Sequence, residues 1–332
     1  MSTTMRRLLA VGIAALLALA PSIQPAHATP NSAAANKAAA YLAAQIGDGD
    51  HLTSDFGNEG ITADAALALK AVDDSVHSAT VTRLVNYLKA QAPAYTEQSP
   101  EGAAKLALVA VAVGEKPRDF GGVDLVARIT AGTLPDGSFG AYPGPFAQSL
   151  GIIALKRSGA DVPESMLTWL VAQQDKASGG FGYAAGQPAD ADNTGMALLA
   201  FTAADSTTVS AARQAATAWA TTNQAADGSW AGYSPVNSTA VMGMALQAGG
   251  TDVSKAVAWT AQQQQADGGL PNAGKSDVLA TAQGVLLLAG ASYLSLPAAG
   301  TSWITWTLAG AAVVIVAAVA AVLLVRRRKA LA

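Results

Sequence analysis

The chain contains no cysteine among its 332 residues and only three histidines. Without cysteine it cannot form disulfides, so its stability must come from packing. The same shortage removes the usual side-chain ligands of a zinc site. The sequence shows no other metal motif, and we expect neither a metal nor a cofactor.

Basic residues are scarce between the two ends of the chain. Setting aside Arg6, Arg7 and the four basic residues at 326–329 leaves 14 basic against 23 acidic side chains, a balance of about −9. No run of Lys or Arg occurs in this acidic stretch. This composition argues against nucleic acid as a partner.

Residues 1–28 have the pattern of a secretory signal. The basic pair Arg6-Arg7 precedes an apolar run that ends at Pro21, and Ala26-His27-Ala28 is an A-x-A-like cleavage site. The shortness of the run favours a cleaved signal over an anchor. We expect the mature chain to begin at Thr29 and residues 29–36 to form a linker.

Residues 303–325 form an apolar stretch long enough to cross a bilayer as a helix. The basic tail at 326–332 directly after it is held on the cytoplasmic side, so the sequence predicts a single-pass protein with its N-terminus outside the membrane. Residues 291–302 are predicted to be a linker before this span.

A short motif lies within that second linker. Leu296-Pro297-Ala298-Ala299-Gly300, followed by the span and the basic tail, resembles the sorting signal that sortases use to attach bacterial surface proteins to the cell wall. The family pattern has Thr where this chain has Ala299. The resemblance implies a sortase as partner, and a plain single-span membrane anchor is the alternative. Both place the domain at the cell surface.

Between its ends the chain repeats one plan six times, at a spacing of about 40 to 50 residues, which is the length of a two-helix repeat. The unit from Trp169 to Phe201 has a helix, a glycine turn, a polar loop and a second helix. First helices are amphipathic, whereas second helices are apolar on all sides and should be buried. The pattern predicts an all-α domain over residues 37–290, with six inner helices inside six outer ones.

Trp219, Gln224, Gly228 and Trp230 resemble the QW repeat of squalene and terpenoid cyclases, and the sixth unit departs from it with Leu270. The six units are similar to the prenyltransferase and squalene-oxidase repeat group, which implies an α6/α6 toroid. Members with a signal peptide and a C-terminal anchor resemble actinobacterial surface proteins. This fold hosts several functions, so the resemblance does not choose among them.

The missing residue types narrow that choice. Protein prenyltransferases hold zinc with Asp, Cys and His, and thioester domains need Cys and Gln, so a chain without cysteine belongs to neither class. Vitamin B12 carriers pair the toroid with a β domain, and no β-like stretch follows Leu288.

Asp190-Ala191-Asp192-Asn193-Thr194 resembles the Asp-x-Asp-Asp-Thr motif of class II terpenoid cyclases, whose middle Asp protonates an alkene. The resemblance implies Asp190 and Asp192 as catalytic acids. An acid of this kind must be kept protonated by burial and a neighbouring carboxylate. The alternative is that Asp192 is an ordinary helix N-cap, because equivalent inner helices begin with Asn237 or Ser238.

Aromatic and acidic side chains gather in the loops that lead into the inner helices. In this fold those loops share one end of the barrel, where they would line a mouth for a small or chain-like ligand. The predicted ligand contacts are Asn193, Thr194, Tyr142, Tyr183, Tyr233, Glu59, Glu101 and Asp277. Phe139, Phe181 and Trp230 are instead expected to pack between repeats.

The leading hypothesis is a surface-anchored binding or interaction module for a small apolar, lipid-like or glycan ligand. The alternatives are an enzyme that acts on an isoprenoid or polysaccharide through Asp190 and Asp192, and a structural envelope protein. A deep cavity with two adjacent buried carboxylates favours the enzyme, and a plugged barrel favours the structural role.

Overall fold

A computed structural model describes residues 30–55, 57–72, 74–97 and 99–296. These residues form twelve helices and one two-stranded hairpin. The elements are α1 Ser32–Ile46, α2 Asn58–Ala71, α3 Asp74–Tyr95, α4 Pro100–Val113, α5 Leu125–Ala131, α6 Pro145–Arg157, α7 Glu164–Ala172, α8 Ala191–Ala204, α9 Thr207–Thr222, α10 Pro235–Ala248, α11 Ser254–Gln262, β1 Leu270–Asn272, β2 Lys275–Asp277 and α12 Val278–Leu288.

The even-numbered helices form a closed inner ring. Helices α2, α4, α6, α8, α10 and α12 contact one another in that order, and α12 packs against α2 to complete the circle. Every residue of α10 from Val236 to Leu246 is buried. The outer helix α9 buries only Val209, Ala212, Ala216 and Ala220, at helical spacing. The predicted α6/α6 toroid, with buried inner and amphipathic outer helices, is confirmed.

A glutamine amide joins each of several repeats to the next. Gln174 Nε2 donates to the carbonyl oxygen of Gly179 in its own turn at 2.7 Å and to that of Ala212 in the next outer helix at 2.8 Å. Gln264 Nε2 does the same with Gly268 at 2.9 Å and Ala34 at 3.0 Å. Because Ala34 lies in α1, this second glutamine closes the ring between its last and first repeats.

The third repeat has no glutamine at the end of its outer helix, and a residue of the inner helix takes over. Gln148 Nε2 donates to the carbonyls of Gly137, in the turn, and Met166, in α7, both at 2.9 Å. The amide is fully buried. The junction therefore depends on where the amide lies in space, and different sequence positions can supply it.

The turn glycine of these repeats lies directly against the neighbouring outer helix. Gly137, Gly179, Gly228 and Gly268 all have φ between 83° and 97°, which L side chains rarely adopt. A Cβ on any of them would lie 2.3 to 2.8 Å from a backbone atom of Ser165, Ala215, Lys255 or Lys37, respectively. Glycine is needed both for the turn and for the close approach of two repeats.

In four repeats, a threonine near the start of the inner helix forms a hydrogen bond with the backbone of a residue in the preceding turn. The Oγ1 atoms of Thr62, Thr194, Thr239 and Thr281 accept from the backbone N–H of Leu52, Phe181, Trp230 and Leu270, at 2.8 to 3.0 Å. These bonds place the side chains of the turn under the ring. Phe139, Phe181 and Trp230 are at most 1% exposed, as expected for residues that pack between repeats.

Three details of the sequence prediction are wrong. Helix α1 begins at Ser32, inside the segment predicted to be a linker, because Asn31 caps it by accepting from Ala34 N. Residues 291–296 were also predicted as a linker, but Ala291, Ser292, Tyr293 and Leu296 are buried against the ring. The loop of the sixth repeat contains the antiparallel hairpin β1–β2, where only turns and helices were expected.

The predicted signal (1–28), membrane span (303–325) and basic tail (326–332) lie outside the described residues and stay predictions. Within the part of the chain that is described, none of the helices is both long and apolar enough to span a bilayer.

The glutamine that closes the ring provides a test of the fold. Replacing Gln264 with Ala removes the amide that bonds both Gly268 and Ala34, and should lower the free energy of unfolding by about 1–3 kcal/mol. Gln263→Ala is the matched control, since its amide donates only to Trp259 in its own helix. Urea unfolding of both variants measures the difference, and equal losses would contradict the role of Gln264.

Candidate functional site

The loops that enter the inner helices surround a groove at one end of the barrel. This mouth groove has a volume of ≈ 840 Å³ and lies between the first, fifth and sixth repeats. Most of the residues that line it carry polar side chains. They include Tyr41, Gln45, Asp55, Tyr233, Asn237, Asn272, Ser276 and Asp277, with Ile61, Val278 and Leu279 as apolar members.

A buried ion pair forms the floor of the mouth groove. Lys105 Nζ, on α4, donates to Asp64 Oδ2, on α2, at 2.9 Å, and the two side chains are 25% and 5% exposed, respectively. Both residues also line the small cavity below. Sequence reasoning missed this pair, although a lone charge within the apolar runs Ala63-Asp64-Ala65 and Ala104-Lys105-Leu106 is a signal that a buried partner is needed.

Below this floor the axis of the ring is filled. The remaining cavity is ≈ 20 Å³ and is bordered by side chains of α2, α4, α6, α8 and α12, together with Tyr293 from the segment after α12. An amide pair braces the wall above it, with Asn237 Nδ2 donating to Gln283 Oε1 at 2.9 Å. The mouth groove is therefore a shallow site with a closed floor.

Asp190 is the N-cap of helix α8. One of its oxygens accepts from the backbone N–H of Asn193 at 2.8 Å, and the other accepts from the Asn193 side-chain amide at 2.8 Å. The N-cap role considered for Asp192 thus belongs to Asp190. With both oxygens bonded to Asn193, Asp190 acts locally as a structural group.

Asp192 lies in the first turn of α8 and bridges to the next inner helix. Ser238 Oγ of α10 donates to Asp192 Oδ2 at 2.8 Å. Burial raises the pKa of the Asp192 carboxyl, and the charge of Asp190 raises it further, while the bond from Ser238 opposes both. Gly232 covers the pair, since a Cβ there would lie 1.9 Å from Ser238 Oγ.

The other predicted site residues have structural partners. Thr194 is fully buried and bonds both the N–H and the carbonyl of Phe181. Because Thr62, Thr239 and Thr281 play the same part, Thr194 is not specific to its repeat. Glu101 accepts from the backbone N–H of Ala141 at 2.8 Å, and Glu59 accepts from the Tyr87 hydroxyl at 3.2 Å.

Several acids nevertheless share the mouth end. Burial, followed by the charges of Asp64, Glu59 and Glu101, raises the pKa of Tyr95 to about 12. Asp277 caps α12 by accepting from Ala280 N at 2.7 Å and also lines the mouth groove. Acids of the first, second, fourth and sixth repeats therefore lie at this end.

The three predicted tyrosines are all exposed, but they do not share one site. Tyr142, Tyr183 and Tyr233 are 89%, 66% and 98% exposed. Tyr233 lines the mouth groove, whereas the other two lie on the loops of the third and fourth repeats and do not line it. Of the residues predicted to bind ligand, the structure brings together Tyr233 and Asp277 in the groove.

Two further predictions concern the ends and metals. Leu296, the first residue of the predicted sorting motif, is 2% exposed, and Pro297, Ala299 and Gly300 lie outside the described residues. Among the residues that the structure describes, no group of three or more His, Asp or Glu side chains is arranged to hold a metal ion.

No protein-family model and no curated protein matches the sequence. Solved structures match the fold. A protein from Actinoplanes is 14% identical with a TM-score of 0.61, and the match covers 78% of this chain and 99% of that one. The type II terpene cyclase MstE from Scytonema is also 14% identical, with a TM-score of 0.63 over 78% of this chain and 96% of that one.

MstE has also been solved with geranylgeranyl dihydroxybenzoate as substrate and with merosterolic acid A as product. A more distant likeness is haptocorrin in complex with Cbi, 12% identical with a TM-score of 0.53 over 82% of this chain and 71% of that one. At these identities the likeness establishes a terpenoid cyclase-like toroid, and it establishes the fold alone.

The floor ion pair can be tested by a double-mutant cycle. Lys105→Met leaves the buried Asp64 carboxylate without its partner and should lower the free energy of unfolding by about 3 kcal/mol. Asp64→Leu combined with Lys105→Met should recover most of that loss, because no charge then stays buried. Denaturant unfolding measures the free energy of each variant in the cycle. If the losses of the two single variants add up to the loss of the double variant, the two side chains do not interact.

The pKa of Asp192 predicts a pH dependence of stability. Because its pKa is raised on folding, the folded chain holds this proton at pH values where the unfolded chain has lost it, and stability falls as pH rises from the ordinary Asp pKa through the raised one. Asp192→Asn should therefore gain stability relative to the unmodified chain as pH rises through this window.

The control for this experiment is Asp227→Asn. Hydrogen bonds from Ser229 lower the pKa of Asp227, so its contribution to stability is present above the ordinary Asp pKa and is lost as pH falls. In thermal unfolding between pH 3 and pH 7, the stability of Asp192→Asn relative to the unmodified chain should rise with pH, and that of Asp227→Asn should fall. If the stability of Asp192→Asn followed that of the unmodified chain at every pH, the burial of Asp192 would not be linked to proton binding.

Proposed function

We propose that this chain is a binding module whose mouth groove holds a polar, chain-like ligand of the glycan class. One observation carries the proposal. The groove is ≈ 840 Å³, within the range of ligand sites, and combines a fully exposed aromatic ring with convergent carboxylate, amide and hydroxyl groups. Tyr233 supplies the ring, and Asp55, Asn272 and Asp277 supply polar atoms.

This chemistry matches saccharides better than hydrocarbons. Sugar hydroxyls both donate and accept, so carboxylates and amides can bond neighbouring hydroxyls, while the apolar face of a sugar ring rests on an aromatic side chain. A hydrocarbon ligand needs a largely apolar chamber of some hundreds of Å³. With Tyr293 in place, the axis of this ring leaves ≈ 20 Å³.

The charge of the groove favours particular glycans. Its lining has three carboxylates, of Asp55, Asp64 and Asp277, and one described cation, Lys105, which Asp64 already pairs. Anionic sugars would meet like charges, whereas neutral and amino sugars would not. We therefore expect neutral or amino-bearing oligosaccharides to bind and uronic acids to be rejected.

The cyclase alternative has two supports, the cyclase-like fold and the raised pKa of Asp192. It ranks second because Asp192 is bonded by Ser238 beneath Gly232 and does not line the mouth groove, and because Asn193 replaces the last acid of the motif. If the enzyme hypothesis is correct, the purified chain converts an isoprenoid substrate, and Asp192→Asn abolishes that conversion.

The proposed location follows from the ends of the chain. The predicted signal and span would hold the module outside the membrane, either anchored directly or joined to the wall by a sortase. The described chain ends at Leu296, on the face opposite the mouth groove. This arrangement would direct the groove away from the anchored end, where an extracellular polymer could reach it.

The binding proposal is tested with a panel of neutral, amino-bearing and uronic oligosaccharides in isothermal titration calorimetry. Tyr233→Ala should weaken any binding by about fivefold, since an aromatic stack contributes roughly 1 kcal/mol beyond burial. Tyr142→Ala is the control, because this side chain is equally exposed and lies outside the groove. No binding across the panel would favour the structural envelope role.

A further inference from the structure

The segment after α12, residues 291–296, crosses the C-terminal end of the ring, and we name it the strap. It begins where Ala291 N bonds the Leu286 carbonyl at 2.8 Å. It ends at Arg157, the last residue of α6, which lies directly across the ring from α12. The strap therefore runs over the end of the barrel opposite the mouth groove.

Tyr293 of the strap enters the axis of the ring. Its side chain is 6% exposed and borders the axial cavity together with Leu67, Leu108, Leu150 and Met196, which come from four successive inner helices. Those neighbours make the middle of the axis mainly apolar. Burial raises the pKa of the Tyr293 phenol, and the charge of Asp64 raises it further, so the hydroxyl is neutral.

Arg157 holds the strap in place through main-chain carbonyls. Its Nη1 donates to the Leu294 carbonyl and its Nη2 to the Leu296 carbonyl, both at 2.6 Å. Burial lowers the pKa of the guanidinium, and its Nε is buried without a hydrogen-bond partner. No carboxylate of the described residues lies within ion-pair distance of Arg157.

These observations describe a site that the chain fills with its own residues. Tyr293 of the strap fills the mainly apolar axis, and the half-buried Arg157 at the end of α6 bonds two carbonyls of the strap. No carboxylate of the described residues balances the charge of Arg157. Neutral carbonyls compensate a partly desolvated guanidinium less well than an anion does. An anionic group would thus be a stronger partner for Arg157 than the strap is.

We propose that the strap is a displaceable plug over a second binding site, which takes an amphiphile with an apolar chain and a carboxylate or phosphate head. The chain enters the axis in place of Tyr293, and the head binds Arg157 in place of the Leu294 and Leu296 carbonyls. This site is distinct from the mouth groove and does not depend on glycan binding.

The experiment uses the full chain in phosphatidylcholine vesicles with dodecanoate that carries a terminal diazirine. After irradiation, peptide mapping should place adducts on axial residues such as Leu67 and Met196. Tyr293→Gly, which opens the axis, should raise their yield by about tenfold. Arg157→Met should lower it by about tenfold for dodecanoate, because a charge-assisted bond is lost, and leave the matching dodecanol probe unchanged.

Tyr142→Gly is the matched control for the loss of an aromatic side chain, and its adducts should equal those of the unmodified chain. Because Tyr293→Gly removes buried packing, hydrogen exchange of the unmodified chain provides a second measurement. Dodecanoate should speed exchange of the amides at 291–296, and the dodecanol probe should do so less. Adducts confined to the outer helices, equal yields from both probes, or unchanged exchange in the strap would each overturn the proposal. Dodecyl phosphate in place of dodecanoate identifies which head group Arg157 prefers.

Discussion

The junction between neighbouring repeats is the contact on which the rest of this structure depends. A half-buried glutamine amide bonds a turn carbonyl and a carbonyl of the next outer helix. Beside it a glycine lets two backbones approach within a distance that no side chain permits. Each hairpin is too small to bury its own apolar face, so it is stable only when its neighbours are in register. Because Gln264 of the last repeat bonds Ala34 of the first, the first and last repeats stabilise each other in the same way.

Closure of the ring determines where function can lie. Six inner helices with small side chains approach closely, and their apolar surfaces fill the space between them. Polar groups on these helices must then pair with one another, as Lys105 does with Asp64 and Asn237 with Gln283. The two ends of the barrel then differ, because one is open as the mouth groove and the other is covered by the strap.

Sequence reasoning placed the candidate site at the end of the barrel where loops enter the inner helices, and two of the predicted residues line the mouth groove there. Tyr233 and Asp277 were recognisable because each stands in a loop before an inner helix. Asp190 and Asp192 were chosen by resemblance to a motif, but the structure uses the first as an N-cap and bonds the second to Ser238. The pair Asp64–Lys105 was missed because its members are 41 residues apart, and nothing local shows that they meet.

The fold itself was largely determined by the sequence, because a six-fold repeat with amphipathic and fully apolar helices has few ways to bury its surface. The glycine turns and the QW-like residues indicate directly where neighbouring repeats contact each other. Only the tertiary structure decided which charges are paired, which tyrosine lines a groove, and that residues 291–296 fold back to place Tyr293 in the axis. Those features depend on contacts between residues distant in sequence, and a local pattern cannot encode the partner at the far end.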